Sequence, residues 1–544
     1  MDFTEYKSVT QIAGTMKFRE HMSYKKEEMC MKPLSQEQVE KTREEIMGIV
    51  TDRSLTHEQK LTNLSGAAVS LLELPDLPEG LAELLEPVEG KQCICDLFEG
   101  NAPVRPRYIV PDYAKFFREG SRFLQLDPPT DLYEALDHLL IFYKHVPSVT
   151  NYPVYLGALD ELLDPFVQDM DEKTAKKLIQ MFLVHVDRTV LDSFSHANIG
   201  PKATKAGRLI LEAERELCQA VPNLTMKYDP ELTDDAFALE CVKTALKTAK
   251  PSFANHKMFV SELGENYVIA SCYNGLLLGG GSYTLSRLIL GNIAKRAADK
   301  KDFLEHQLPY VMKIMAEYMD VRIRFEVEDS GFFESNFLAQ EGFIHRDRFT
   351  AMFGLVGMAE CVDILMEKEG KPYRYGKDPE ATELGVEIMD TIDRFNESHV
   401  NPYCEATGGH FLLHAQVGIA QDHGITPGTR IPIGEEPENL ADFLRFLGHF
   451  HKYFPSGTGD IIPVDLMVHQ NPEFVLDVVK GAFSSGLRYL SFYESNSDVI
   501  RVTGYLAKRS EIEKYQKGQA VLQNTTQLAT GATNNGHVQE RKVW

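Results

Sequence analysis

Between about residues 100 and 480 the chain alternates helical stretches, such as 173–188 and 234–249, with short β-like runs, such as 267–272 and 410–413. Helices interleaved with strands cover the faces of a sheet, so this stretch is expected to form an α/β body. No period of twenty to fifty residues recurs, which leaves solenoids and propellers without support. We therefore expect a core over residues 101–480, preceded by a helical region over 1–100 and followed by a C-terminal segment over 481–544. In the first region Ser35 and Gln38 form a capping box for a helix running through Ile46 and Val50, with Leu34 placed to staple onto Val39. Residues 74–90, rich in Pro, Leu and Glu, and residues 104–111 read as connections into the larger body.

Composition narrows the function classes. An apolar fraction of 43% over 544 residues describes a large soluble globular protein. A formal charge of −23 opposes close approach to a nucleic-acid backbone, so no DNA or RNA partner is expected. Residues 1–17 carry no continuous apolar run, and later apolar stretches are too short or too interrupted to span a bilayer, so the expectation is a cytoplasmic protein without a membrane partner. Eight irregularly spaced cysteines read as reduced thiols rather than a disulfide framework. Cys93 and Cys95 are the only close pair, and with no second pair to complete a zinc site they read as two semi-buried thiols; no metal is expected.

The most informative local run is Asp498-Val499-Ile500-Arg501-Val502-Thr503-Gly504-Tyr505-Leu506, a β-like segment ending on a glycine and followed by a helix that Ser510 and Glu513 would cap. Strand, loop, helix is the expected order. An isolated glycine in such a place is usually a turn or bulge residue that tolerates positive φ. The surrounding residues change that reading. Arg501 to Leu506 resembles the signature loop of the glycyl radical enzymes, which store an unpaired electron on the glycine α-carbon. Between an electron-donating amide nitrogen and an electron-withdrawing carbonyl a planar α-carbon radical is delocalised, and a side chain would oppose planarity. Upstream, residues 157–165 resemble a segment of that family's barrel. Residues 349–360, Glu405-Ala406-Thr407 and His469-Gln470 resemble segments of the anaerobic ribonucleotide reductases. The resemblance runs discontinuously from about residue 130 to 518.

The resemblance implies a ten-stranded α/β barrel of two antiparallel halves, with a cysteine loop and the Gly504 loop meeting inside. It also implies activation by a separate radical S-adenosylmethionine protein carrying an iron-sulfur cluster, no separately bound cofactor, a small-molecule substrate and a homodimer. Members of the family pair the glycine with a cysteine whose thiyl radical takes hydrogen from a substrate C–H bond. Cys272 is the leading candidate: it ends the apolar run 267–270 and precedes Asn274-Gly275 and the glycines 279–281, as on a finger loop. Residues 282–288 resemble the strand-to-helix junction that follows the thiyl cysteine in the reductases. Cys404 is the alternative thiyl, beside Glu405, whereas Cys361 sits on an apolar helical face as a small hydrophobe. Glu405 is a candidate acid-base group for a substrate hydroxyl, with an ordinary ion pair as the equally weighted reading.

Other motifs carry less. The glycines 279–281 lack the Lys-Ser or Lys-Thr of a phosphate loop. His345-Arg346-Asp347 lacks the partners of a kinase loop and reads as solvated or ion-paired. His449 and His451, spaced to share one face of a strand, read as a structural pair. Departures from the larger branches matter more. Ser271, not a second cysteine, precedes Cys272, unlike pyruvate formate-lyase. Asn274 stands where the diol and choline eliminases carry a glutamate, and Thr284 where the reductases carry an asparagine. No cysteine follows Cys404 to build the reductases' zinc module, and no N-terminal nucleotide-binding cone is recognisable. The chain therefore most resembles the small YjjI-like branch, with its reaction class open. An anaerobic ribonucleotide reductase-like enzyme, a non-catalytic binding relative, and a metal hydrolase built around His410 and His449 are the alternatives.

Overall fold

The computed structural model describes residues 34–72, 74–97, 104–415, 422 and 424–544. Residues 1–33, the start of the expected helical region and the segment read for targeting, lie outside the described residues. The capping box forms as expected: Ser35 and Gln38 exchange hydrogen bonds of 2.8 and 3.1 Å at the head of the helix Gln36–Thr51. That helix buries no residue, as suits an outer layer.

The strands, in chain order, are β1 (Ile94–Cys95), β2 (Tyr108–Val110), β3 (His196–Ile199), β4 (Asn223–Tyr228), β5 (Ser252–Asn255), β6 (Tyr267–Ala270), β7 (Asn274–Leu277), β8 (Gly280–Ile289), β9 (Phe349–Val356), β10 (Leu412–Ala415), β11 (Asp460–Val464), β12 (Tyr489–Glu494), β13 (Val499–Arg501) and β14 (Leu506–Lys508). Ten of them make two sheets of five. In one, β8 pairs antiparallel with β1 and β2 and parallel with β9, which pairs parallel with β10. In the other, β3, β4 and β5 are parallel to one another, and β5 runs antiparallel to β12, which is parallel to β11. At one seam the sheets are joined through the Ala415 N–H on the Gly457 carbonyl (3.1 Å) and the Ser456 hydroxyl on the Leu413 carbonyl (2.8 Å). Every residue of β8 and β9 is buried, the pattern of strands covered on both faces by helices. The sheets extend past the expected core on both sides, through β1 before residue 100 and β12 after residue 480.

The other four strands are two hairpins, β6–β7 and β13–β14, and they hold the segments around Cys272 and Gly504. Two expectations need correction here. After Gly504 the chain forms a second strand, β14, before the helix Arg509–Gln516, so the order is strand, loop, strand, helix. That helix is not capped by Ser510 and Glu513: its N-cap position is Lys508, and Asp498, reaching across the hairpin, accepts from both the backbone N–H (2.9 Å) and the hydroxyl (3.0 Å) of Ser510. The strand pairing brings a carboxylate to the first turn from outside the helix, and it outcompetes the local cap. Of the glycines 279–281, the last two lie within β8. A Cβ on Gly281 would run into the Tyr108 carbonyl oxygen and come within 2.7 Å of the Phe349 ring, so these glycines serve close strand approach. No helix among the described residues is long and apolar enough to cross a membrane.

Candidate active site

Cys272 occupies the tip of the β6–β7 hairpin, between Ser271 and Tyr273. The hairpin is fixed from its base to its tip. The Asn198 side chain on β3 binds both backbone groups of Ile269, at 2.8 and 2.9 Å. Ser271 takes the left-handed conformation (φ 56°), unusual for a residue with a side chain, and is held there by the Val154 carbonyl on its N–H (2.8 Å) and by His196 on its carbonyl (2.5 Å). Because a carbonyl can only accept, His196 Nδ1 carries the proton, and Nε2 accepts from the Thr225 hydroxyl at 2.7 Å. Burial pushes the His196 pKa down to about 3, so the ring is neutral, as this tautomer requires. The Tyr489 hydroxyl reaches the Cys272 carbonyl at 3.2 Å, and the Tyr273 hydroxyl the Ala415 carbonyl at 2.7 Å.

Cys272 is 5% exposed, and burial raises its thiol pKa to about 12. It therefore stays S–H at any physiological pH. That state suits a donor of a hydrogen atom rather than a thiolate nucleophile.

Gly504 lies in the loop between β13 and β14, itself buried. Its φ is outside the left-handed region, so backbone freedom is not why a glycine stands here. Space is the reason. A Cβ added to Gly504 would lie 2.5 Å from Cys272 Sγ, 2.9 Å from Cys272 Cα and closer still to Cys272 Cβ; all three atoms nearest to it belong to Cys272. Adding one carbon–carbon bond of about 1.5 Å puts the glycine Cα within about 4 Å of the sulfur. The Gly504 carbonyl accepts from Asn223 Nδ2 on β4 (2.9 Å) and from Arg501 (3.2 Å). The loop is held from outside by Arg541, which donates to the carbonyls of Arg501 (2.7 Å) and Val502, and by Ser193, which donates to the Leu506 carbonyl (2.7 Å). Phe194 packs on the Tyr505 ring at 4.8 Å.

Gly504 and Cys272, 232 positions apart, are thus brought into contact. The structure places the other predicted residues elsewhere. Cys404 is buried, its pKa raised to about 12 by that burial, with the Thr350 hydroxyl beside its sulfur. Glu405 and Arg346 form an ion pair at 3.7 Å, both side chains about half exposed, which also accounts for the His345-Arg346-Asp347 run. Cys361, Cys93 and Cys95 are buried free thiols. His449 and His451 lie on a helix, Leu440–His451, not on a strand, so they point about 200° apart around its axis. His451 alone is engaged: the Arg488 N–H donates to its Nδ1 (3.0 Å), which leaves Nε2–H to donate to Asp460 (2.9 Å). Among the described residues no three of His, Cys, Asp and Glu gather as a metal site. A cavity of about 490 Å³, bordered by Thr503, Arg430, Asp460, Glu360 and Arg541, reaches the Gly504 loop.

Sequence reasoning missed His196, Asn223, Thr225 and Tyr489. Each sits in a short strand that alternation alone reads as wall, and only the sheet order β3, β4, β5, β12 brings their polar ends together.

Comparison with known proteins gives a consistent picture. A family model described as glycyl radical enzyme YjjI-like matches residues 55–544. The chain is 46% identical over 503 residues to an uncharacterized protein of Haemophilus influenzae, covering 92% of this chain and 97% of that one. It is 42% identical over 497 residues to the uncharacterized protein YjjI of Escherichia coli, covering 91% and 94%. Among solved structures, the anaerobic ribonucleotide reductase of Thermotoga maritima with dATP in its specificity site superposes with a TM-score of 0.66 at 14% identity, over 89% of this chain and 100% of that one. A glycyl radical enzyme of Archaeoglobus fulgidus superposes at 0.60 and 12% identity, over 76% and 68%. These structural likenesses concern the fold, which is the ten-stranded α/β barrel of this class. With its family model matched from residue 55 onward and two relatives above 40% identity, the chain belongs to the YjjI-like family of glycyl radical enzymes.

Proposed function

We propose that Gly504 stores the radical and that Cys272 is the residue that uses it, taking a hydrogen atom from a C–H bond of a small-molecule substrate under anaerobic conditions. The observation that carries this reading is the contact between the two: only a residue without a side chain fits against Cys272 at position 504. The steps balance without an external oxidant once the radical exists. An activating protein of the radical S-adenosylmethionine type, with its iron-sulfur cluster, removes one hydrogen atom from the Gly504 α-carbon. Cys272 then gives its thiol hydrogen to that carbon and becomes a thiyl radical. The thiyl takes a hydrogen atom from substrate, re-forming S–H and leaving a carbon radical; in a redox-neutral reaction of any class the product radical then takes the hydrogen back. Two features of the chain support this sequence. The thiol is held protonated by burial, and its surroundings exclude bulk water, which protects reactive intermediates.

Electron paramagnetic resonance after anaerobic treatment with the cognate activating protein tests the assignment. Parent protein and Cys272→Ala should both show an organic radical, and only the parent should turn over substrate. A radical that forms in Gly504→Ala, or full turnover in Cys272→Ala with loss in Cys404→Ala, overturns it. A homodimer is the expected assembly, to be read from the molar mass in solution.

A further inference from the structure

The Gly504 carbonyl is gripped by two donors that form one closed unit. Asn223 gives its amide N–H at 2.9 Å and Arg501 a guanidinium N–H at 3.2 Å. The two donors also hold each other, because a second Arg501 N–H reaches Asn223 Oδ1 at 3.0 Å while that oxygen also accepts the Leu224 N–H at 2.9 Å. Arg501 is further anchored on the Ala249 carbonyl at 2.8 Å. Both side chains are fully buried. No carboxylate forms an ion pair with Arg501 among the described residues, and its remaining guanidinium nitrogen, Nε, has no hydrogen-bond partner. An unpaired cation in the core is costly, and a neutral donor could fix the loop without that cost. The position of the charge, on the carbonyl of the one residue whose α-carbon carries the radical, calls for an electronic explanation.

We propose that Arg501 and Asn223 are positioning residues that tune the stability of the radical by hydrogen-bonding the Gly504 carbonyl, so that the unpaired electron rests on Gly504 and visits Cys272 only transiently. This inference rests on the assignment of the radical to Gly504. An α-carbon radical between amide nitrogen and carbonyl is stabilised by a resonance form that shifts negative charge onto the carbonyl oxygen. A buried cation and an amide donor aimed at that oxygen favour this form, and the effect is strong because the surroundings are dry. The same donors lower the energy of the radical state more than that of the closed-shell glycine. They therefore shift the exchange in which the Gly504 radical and the Cys272 thiol become glycine and a thiyl radical, in the direction of the glycyl side. One atom of hydrogen crosses, and no charge moves between the residues.

The test compares the activated full-length parent with Arg501→Gln, Arg501→Lys and Asn223→Ala by electron paramagnetic resonance. What is read is the α-proton splitting and g-anisotropy of whatever radical forms, and its anaerobic decay rate. Loss of the cation in Arg501→Gln should change the splitting and g-values and speed decay roughly tenfold, the effect expected for one charge-assisted hydrogen bond. Arg501→Lys, which keeps a cationic donor, should recover part of the parent spectrum, and Asn223→Ala should shift the signal in the same direction by less. A purely structural role changes yield or melting temperature and leaves the spectrum of the surviving radical alone. If Arg501→Gln does not fold, Asn223→Ala, which keeps the charge, decides the matter by its spectrum. Parent-like splitting, g-values and lifetime in the folded variants overturn the inference; a parent protein with no radical overturns instead the assignment on which it rests.

Discussion

The contact between Gly504 and Cys272 can be measured before any activation, in air, through stability alone. Gly504→Ala adds a methyl 2.5 Å from Cys272 Sγ and 2.9 Å from its Cα. Ordinary contacts between such atoms are about 3.5–4.0 Å and Cys272 Cβ lies nearer still, so one hairpin has to retreat by roughly 1.5 Å. Both hairpins are tied at several points, Ser271 by Val154 and His196, Gly504 by Asn223 and Arg501, which limits relaxation. Overpacking of this kind costs about 1–3 kcal/mol. The nearest atom is Cys272 Cβ, not the sulfur, and that detail makes the test specific. In a Cys272→Ala background the added methyl still collides with Cβ, whereas in Cys272→Gly only the 2.9 Å approach to Cα remains and most of the clash is gone. A double-mutant cycle by urea unfolding, followed by circular dichroism, should therefore give a coupling of about 1–3 kcal/mol between Gly504→Ala and Cys272→Gly, with most of the penalty surviving in Cys272→Ala. The cost of Cys272→Gly itself appears in both arms and cancels. If Gly504→Ala is as stable as the parent, or loses the same stability in the Cys272→Gly background, the two residues are not in contact and the reasoning fails.

Further outcomes follow from the same geometry. Exposure of activated protein to air should cut the backbone at Gly504 and release a fragment of residues 505–544, detected by mass spectrometry, whereas Gly504→Ala should remain intact. His196 is neutral when folded, with a pKa near 3 against 6.5 unfolded, so the unfolded chain takes up a proton that the folded one does not between those values. Stability should accordingly fall as the pH drops below about 6.5, by up to about 1.4 kcal/mol per unit from this group, and His196→Gln should flatten that slope in urea midpoints measured against pH. Glu405→Gln separates the two roles weighed for that carboxylate: the half-exposed ion pair with Arg346 predicts unchanged turnover, whereas a fall of about a hundredfold or more marks acid-base catalysis.

How far the sequence disclosed this site depends on the range over which each residue's role is determined. Gly504 is legible because the requirement for an unsubstituted α-carbon is local and stands in a specific run of residues. Cys272 is legible from its place at a strand end before Asn274-Gly275. The contact between them is not, because nothing within a few residues of either states that the other fills the space beside it. Asn223 and His196 were invisible for a stronger reason. A polar residue in a short buried strand looks the same whether it satisfies a neighbour's backbone or grips the Gly504 loop, and only the register of β3 beside β4 distinguishes the two. Asp498 shows the same limit on a smaller scale, since a cap delivered by the opposite strand of a hairpin leaves no capping pattern in the helix it serves.

The loop around Gly504 draws its partners from Ser193, Asn223 and Ala249, made early in the chain, and from Arg541, made near its end, and it packs against Cys272. A ribosome makes these segments in order. When the Cys272 hairpin is made, Gly504 is still more than two hundred residues from being added, and Arg541 comes later still. Contacts of such sequence separation close slowly, after local structure has formed. The barrel wall and Cys272 can thus reach their places first, and the contact between Cys272 and Gly504 closes only once residue 541 has been added and the last hairpin has docked.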